Sequence, residues 1–356
     1  MQLRFDTEKT YAVALEGGGA KGAYEIGVWQ ALDEAGVKYN AVSGTSVGAL
    51  NGALMVMRDL PRAVDAWENI CLSKVIDLGE ADEEDVKRYL QGELQPDDLP
   101  ELFQQALDVI RNRGLDVSPL RAWVREIIDA EKIRASDVDF YISTVSLSDR
   151  KSLEIHVNEL PAEEICDMLL ASAYHPSFRL EKLGGKYYAD GGFVDNLPLH
   201  ALVESGRRDI IAVRIPGMGV ERHFKMPEDV NLTTISPFAD LGGVLNFDAE
   251  QARRDMRIGF LDAKRVLYGL YGRRYYFDRT MSEREALEWI LDRYGGCAET
   301  LREAVEQELP RMAKRLDAAD RDYYELMLLL CEEEAEKRGI DNLRIYTDRE
   351  LLEALE

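Results

Sequence analysis

Three short stretches of this chain carry residue types at spacings that could do chemistry. The first is Glu16-Gly17-Gly18-Gly19-Ala20-Lys21-Gly22. A glycine run between a strand and a helix lets an anion approach backbone N–H groups at the helix N-terminus. Gly17 to Gly22 has the glycine spacing of a phosphate-binding loop, but Ala23 and Tyr24 stand where Lys and Ser or Thr are needed. The same residues satisfy GxGxxG, yet Val37–Val42 lacks the acidic residue that a dinucleotide site needs about 20 positions on. Asp33 and Glu34 come earlier, inside a helix pattern. The second stretch is Gly44-Thr45-Ser46-Val47-Gly48, a GxSxG. Glycines two before and two after the serine permit a sharp elbow. The elbow lifts Ser46 Oγ to the top of a sheet and aims the following N–H groups at an oxyanion. The third stretch runs from Tyr188 to Pro198, and in it Asp190 follows an apolar and aromatic run and precedes Gly191 and Gly192. That is a place for an exposed carboxylate held on a rigid turn.

A serine hydroxyl needs a base to act as a nucleophile. The usual partner is histidine, and this chain has four. His156 alternates within Leu153–Val157 and reads as packing or surface. His200 falls on a helix after Pro198, and His223 lies in a charged loop. His175, in an irregular segment before Pro176, is the best histidine contender, with Asp190 as the carboxylate alternative.

Elements must position these groups. Tyr11–Leu15 reads as a buried strand ending at the glycine run. Ala23 to Ala35 has helical spacing, and Gly36 is a natural stop. Val42 ends a second strand, and Val47 to Met57 begins a mostly apolar helix. Residues 61–132 are polar and helical in pattern, an inserted or covering region. Phe140–Val145 and Leu153–Val157 alternate as adjacent strands. Pro161 to Ala171 reads as a helix, Gly184 to Tyr188 as a hairpin and Ile210–Ile215 as another strand. Two β-α-β cycles in front and later strand returns predict a mainly parallel sheet covered by helices. Residues 216–245 read as a long loop with short elements, whose Met218, Val220, Phe224 and Phe238 could meet a lipid surface. From Glu250 onward the pattern is almost wholly helical.

Composition bounds the function. At 356 residues the chain can bury a core without staples, and a 46% hydrophobic content excludes wholesale disorder. There are 67 acidic and 44 basic residues, a net charge of −23, which argues against a general nucleic-acid binder and against adhesion to anionic membranes. Met281–Glu356 holds 21 acidic and 11 basic residues, so a net −10 lies there, and runs such as Glu332-Glu333-Glu334 read as a solvated helix face. Cys71, Cys166, Cys297 and Cys331 form no CxxC pair and read as reduced thiols. No apolar run reaches about 18 residues and no signal pattern opens the chain, so a cytoplasmic protein is expected. Neither a cofactor nor a metal is called for.

The motifs and their order resemble the patatin-like phospholipase family across about residues 10–215. Gly17-Gly18-Gly19-Ala20-Lys21-Gly22 looks like its glycine-rich oxyanion motif, with Lys21 where Arg is also common. Gly44-Thr45-Ser46-Val47-Gly48 looks like its nucleophile elbow. Asp190-Gly191-Gly192 looks like its catalytic aspartate motif, and Val194-Asp195-Asn196-Leu197-Pro198 matches the usual continuation. Ala171-Ser172-Ala173 is similar to its small-residue segment. The resemblance implies a three-layer α/β/α core with a mainly parallel sheet and a Ser46–Asp190 dyad without histidine. It further implies backbone oxyanion donors among Gly17, Gly18, Gly19 and Ala20, with Lys21, Gly22, Gly44, Gly48, Gly191 and Gly192 supporting the motifs. The expected domains are a catalytic unit over 8–245 and an acidic helical C-terminal extension over 246–356. The expected activity is hydrolysis of lipid acyl esters through an acyl-enzyme, with transient contact at a membrane surface. The alternatives are a carboxylesterase or thioesterase for small soluble acyl substrates, and a catalytically silent binding protein.

Overall fold

Tyr11 to Leu15 form a strand because both faces of that segment are covered. Parallel strands buried on two sides read as continuous apolar runs, and β1 (Thr10–Leu15) is buried at every residue after the first. The computed structural model describes residues 1–79, 83–84, 88, 114–294 and 300–356. In it, β1 is joined by β2 (Lys38–Thr45), β3 (Asp139–Ser146), β4 (Lys151–His156), β5 (Tyr188–Asp190), β6 (Asp209–Val213) and β7 (Asn231–Ile235) in one sheet. The order is β4-β3-β2-β1-β6-β7, with β5 also on β3. β3, β2, β1, β6 and β7 run parallel to one another, and β4 and β5 run antiparallel to β3.

Helices lie on both faces, which makes three layers. After the glycine turn comes α1 (Ala23–Glu34), then α2 (Val47–Val56) directly after β2, then α3 (Leu60–Glu68). All ten residues of α2 are buried, and a side chain at Gly52 would collide with Val42 and Phe140 of the sheet. On the opposite face Ala12, Ala14, Ala41, Ile210 and Ala212 pack with Leu199, Leu202 and Val203 of the helix Leu199–Glu204.

Differences from the expected pattern have local causes. The segment 216–245, expected as a loop with short elements, contributes β7, whose main chain extends the sheet beside β6. Among the described residues of the expected helical insertion are the helices Leu60–Glu68, Ser118–Ile127 and Ala130–Arg134. Residues 80–82, 85–87 and 89–113 of that insertion lie outside the described residues.

The chain divides into two compact units, Asp6–Ala263 and Met1–Phe5 with Lys264–Glu356. The division falls inside the helix Ala249–Tyr268 and not at 245. The first turns of that helix belong to the larger unit because they lie directly on α1: a Cβ at Gly27 would sit 1.8 Å from Met256 O. The smaller unit has its own core, around Phe277, Tyr324, Met327, Leu330 and Leu351. It is not purely helical, since β8 (Tyr276–Asp278) and β9 (Ile345–Thr347) pair in parallel. Its acidic run is not a uniform solvated face either. Glu332 is buried and its Oε1 accepts the backbone N–H groups of Arg273, Arg274 and Tyr275. Glu333 pairs with Arg315, and Glu334 with Arg293 and Arg338. No helix among the described residues is long and apolar enough to cross a membrane.

Candidate active site

Sheet topology brings Ser46 and Asp190 together across 144 residues of sequence. β2 runs parallel to β3 and its last pair is Thr45 with Ser143. β5 runs antiparallel to β3 and its last pair is Asp190 with Thr144. The two strands thus end head to head beside consecutive residues of β3. At that junction Ser46 Oγ donates to Asp190 Oδ2 at 2.7 Å.

The elbow is strained, and its surroundings hold it. Ser46 has φ +57° and ψ −124°, a backbone state that costs about 1–3 kcal/mol for a non-glycine residue. Its N–H donates to Ser172 Oγ at 3.0 Å, and the Ser172 hydroxyl donates to Ser143 O at 2.7 Å. Thr45 Oγ1 donates to Asp195 O at 2.7 Å. Close approach requires the flanking glycines: a Cβ at Gly44 would lie 2.2 Å from Gly48 O, and one at Gly48 would lie 2.6 Å from Leu15 O. Because α2 begins at Val47, the positive end of its dipole faces the serine.

Asp190 is buried and not exposed as its turn suggested, because it ends β5 against β3, and both carboxylate oxygens are engaged. Oδ1 accepts the Gly192 N–H at 2.7 Å and Oδ2 accepts the serine hydroxyl. Burial pushes its carboxyl up to about 6, against the opposing pull of the bonds from Ser46 and Gly192. This moves the carboxylate toward the basicity that proton abstraction from a serine requires. His175 makes no hydrogen bond to Ser46. Its Nδ1 faces Ser177, accepting that residue's N–H at 3.3 Å, and burial lowers its basicity. His156 stacks on Tyr141, His200 packs edge-on to Phe224 and His223 is exposed.

The glycine run sits beside the serine; a Cβ at Gly17 would lie 3.2 Å from Ser46 Cβ. Not all of its N–H groups are available, which narrows the expected donor set. Gly17 N–H donates to Asn196 O and Ala20 N–H to Val244 O. The N–H groups of Gly18 and Gly19 have no partner among the described residues. Gly19 has φ +58°, and a Cβ there would meet Val244 O at 2.2 Å. Lys21 points away from the serine, its Nζ donating to Pro216 O at 2.6 Å.

Above these groups opens a cavity of about 520 Å³ that holds Ser46, Asp190, Gly18 and Gly19 in its wall. The rest of the wall is mainly apolar, including Leu50, Leu54, Trp67, Leu120, Trp123 and Phe247. Residues of α2, α3 and the helix Ser118–Ile127 therefore line this space. At its rim Phe193, Met218 and Val220 are 55%, 80% and 60% exposed. Of the other two loop residues expected at a lipid surface, Phe224 packs on the α/β core and Phe238 is exposed.

A family model, patatin-like phospholipase, matches residues 13–203, more than half of the chain. The chain belongs to the patatin-like phospholipase family. Lysophospholipase NTE1 of Phaeosphaeria nodorum is 25% identical over 210 residues, which are 58% of this chain and 12% of that protein. Neuropathy target esterase sws of Drosophila melanogaster is 27% identical over 212 residues, 60% of this chain and 13% of that protein. The chain thus spans a small part of the length of the curated relatives it matches. The crystal structure of VipD from Legionella pneumophila superposes with a TM-score of 0.40 at 15% identity, covering 93% of this chain and 85% of that one.

In this family member, three further polar side chains support the site. Ser172 holds the elbow, Asn196 holds Gly17, and Asn51 holds Gly22. A readable signal existed for Asn51, the one polar side chain in the apolar run Val47–Val56. The role of Ser172 depends on a contact 126 residues distant in sequence, which no local pattern encodes.

Proposed function

We propose that this chain is a serine acyl-ester hydrolase of lipids that works through Ser46 and Asp190 without histidine. The observation that carries this reading is the 2.7 Å hydrogen bond from Ser46 Oγ to a buried carboxylate in the wall of an apolar cavity. Ser46 Oγ attacks the ester carbonyl carbon while its proton passes to Asp190 Oδ2. The carbonyl oxygen becomes an oxyanion facing the Gly18 and Gly19 N–H groups, aided by the α2 dipole. Loss of one such donor usually costs about 3 kcal/mol of barrier. The carbon–oxygen bond to the alcohol then breaks, and the leaving oxygen takes the proton from Asp190. Water repeats the sequence on the acyl-enzyme, giving its proton to Asp190 and releasing the fatty acid.

The apolar wall supports a long acyl chain over a small soluble one, since burying methylene groups contributes about 0.8 kcal/mol each. The exposed rim of Phe193, Met218 and Val220 supports transient contact with a lipid surface. Its backbone is held to the aspartate motif by Val220 N–H to Gly192 O and Asn196 N–H to Val220 O, each 2.8 Å. The test is hydrolysis across a panel of phospholipid, lysophospholipid, acylglycerol and short nitrophenyl esters, with positional analysis of the fatty acid released. Rates that rise with acyl length support the lipid reading. A preference for acetyl over long acyl groups would replace it with a small-ester hydrolase.

A further inference from the structure

The glycine turn is held at each end by the side chain of a buried asparagine. At the N-terminal end, Asn196 O accepts the Gly17 N–H and Asn196 Nδ2 donates to Gly17 O, each at 3.0 Å. At the C-terminal end, Asn51 Nδ2 donates to Gly22 O at 2.9 Å. Each amide also reaches a buried carboxyl that borders the turn. Asn196 Nδ2 lies 3.4 Å from Glu16 Oε1, and Asn51 Nδ2 lies 2.8 Å from Glu25 Oε2. The Asn51 amide has a defined orientation, because Trp67 Nε1 donates to its Oδ1 at 2.9 Å. A flipped amide would set two donors against each other. Packing backs up the hydrogen bond: a Cβ at Gly22 would lie 2.4 Å from Val47 Cγ2 and 3.0 Å from Asn51 Nδ2.

The two asparagines have different anchors. Asn51 sits on α2, the helix that starts at Ser46. Asn196 lies on the turn that follows Asp190, where Asp195 N–H and Asn196 N–H bond to Gly191 O and Val220 O. One end of the glycine turn is therefore referenced to the serine and the other to the aspartate. Gly18 and Gly19, whose N–H groups lack a partner among the described residues, lie between the two clamps.

We propose that Asn51 and Asn196 are paired positioning residues that fix the Gly18 and Gly19 N–H groups relative to Ser46 and Asp190 before substrate arrives. This rests on the hydrolase reading above. An asparagine suits the task because one amide can donate to a glycine carbonyl and to a carboxylate at once, which aspartate, serine and alanine cannot do. Donors held in advance need no reorganisation as the oxyanion forms, so the clamps act on the transition state and not on substrate affinity.

The test uses the full chain with Asn51→Ala and Asn196→Ala as separate variants, each checked for wild-type melting. If one does not fold, the other carries the same test from the opposite end of the turn. The readouts are kcat and KM on a soluble nitrophenyl ester and affinity for two inhibitors of matched chain length. One is a trifluoromethyl ketone, which forms an oxyanion at Ser46, and the other an ether that forms none. The expected result is a loss of about 100-fold in kcat and in ketone affinity, the usual effect of misplacing a catalytic group by an ångström. KM and ether affinity stay within about threefold. Folded variants with wild-type kcat and ketone affinity would overturn the proposal. So would equal losses for ketone and ether, which would mean that the asparagines only shape the cavity. Failure of the wild type itself to hydrolyse the ester or bind the ketone at Ser46 overturns the hydrolase reading, and with it this proposal.

Discussion

At the scale of single residues, the proposed dyad has a carboxylate where a histidine is the usual base. Aspartate has a reference value near 3.9 and is a weak base at neutral pH. Here burial lifts Asp190 to about 6, while the bonds from Ser46 and Gly192 keep it from rising further. The base form exists above that value and is lost below it. For a neutral ester, kcat/KM should therefore hold a plateau above about pH 6 and fall tenfold per unit below it. Asp195 is also raised to about 6 by burial, but only its backbone carbonyl touches the elbow, through Thr45. Asp195→Asn should leave the acidic limb in place; a limb that vanishes in that variant would move the assignment away from Asp190. The sequence made the serine, the aspartate and the glycines legible because each sits in a local pattern of glycine and small residues. Which glycine N–H groups remain available was not legible, since Asn196 and Val244 decide it from far along the chain.

At the scale of elements, the site depends on how closely α2 approaches the ends of β1 and β2. Gly44 and Gly48 allow it, and a methyl group at Gly48 would meet Leu15 O at 2.6 Å, a main-chain atom that cannot swing aside. Gly48→Ala should then destabilise the fold by about 1–3 kcal/mol, the range for overpacking, and lower activity because α2 carries the elbow. Thermal melts and ester turnover would check both, and an unchanged melting temperature would contradict the packing argument. Strands buried on both faces, such as β1 and β6, announced themselves as apolar runs. β7 did not, because Asn231–Ile235 is a mostly exposed edge strand with two threonines in a loop-like context. The three-residue strands β8 and β9 were invisible for another reason: each exists only through its partner, about 70 residues away in sequence.

At the scale of the whole molecule, total charge says little about the site. A net −10 of the −23 belongs to Met281–Glu356, within the smaller unit, whose Glu332, Glu333 and Glu334 are engaged by backbone N–H groups or arginines. Ser46 and Asp190 lie in the larger unit, in a cavity with an apolar rim. If that rim meets lipid, Met218→Ser should slow hydrolysis of phospholipid in neutral vesicles several-fold and leave a soluble short ester near wild-type rate. Equal effects on both substrates would assign Met218 to the cavity alone.

In the proposed mechanism Ser46 is the nucleophile and Asp190 its base. The most direct measurement is active-site labelling with a fluorophosphonate, read by peptide mass spectrometry, on wild type, Ser46→Ala, Asp190→Asn and His175→Ala. The predicted result is a single adduct on Ser46 in the wild type and in His175→Ala, none in Ser46→Ala, and labelling slowed by orders of magnitude in folded Asp190→Asn. Labelling at another residue, or loss of labelling in His175→Ala with wild-type labelling in Asp190→Asn, would rule out the Ser46–Asp190 dyad.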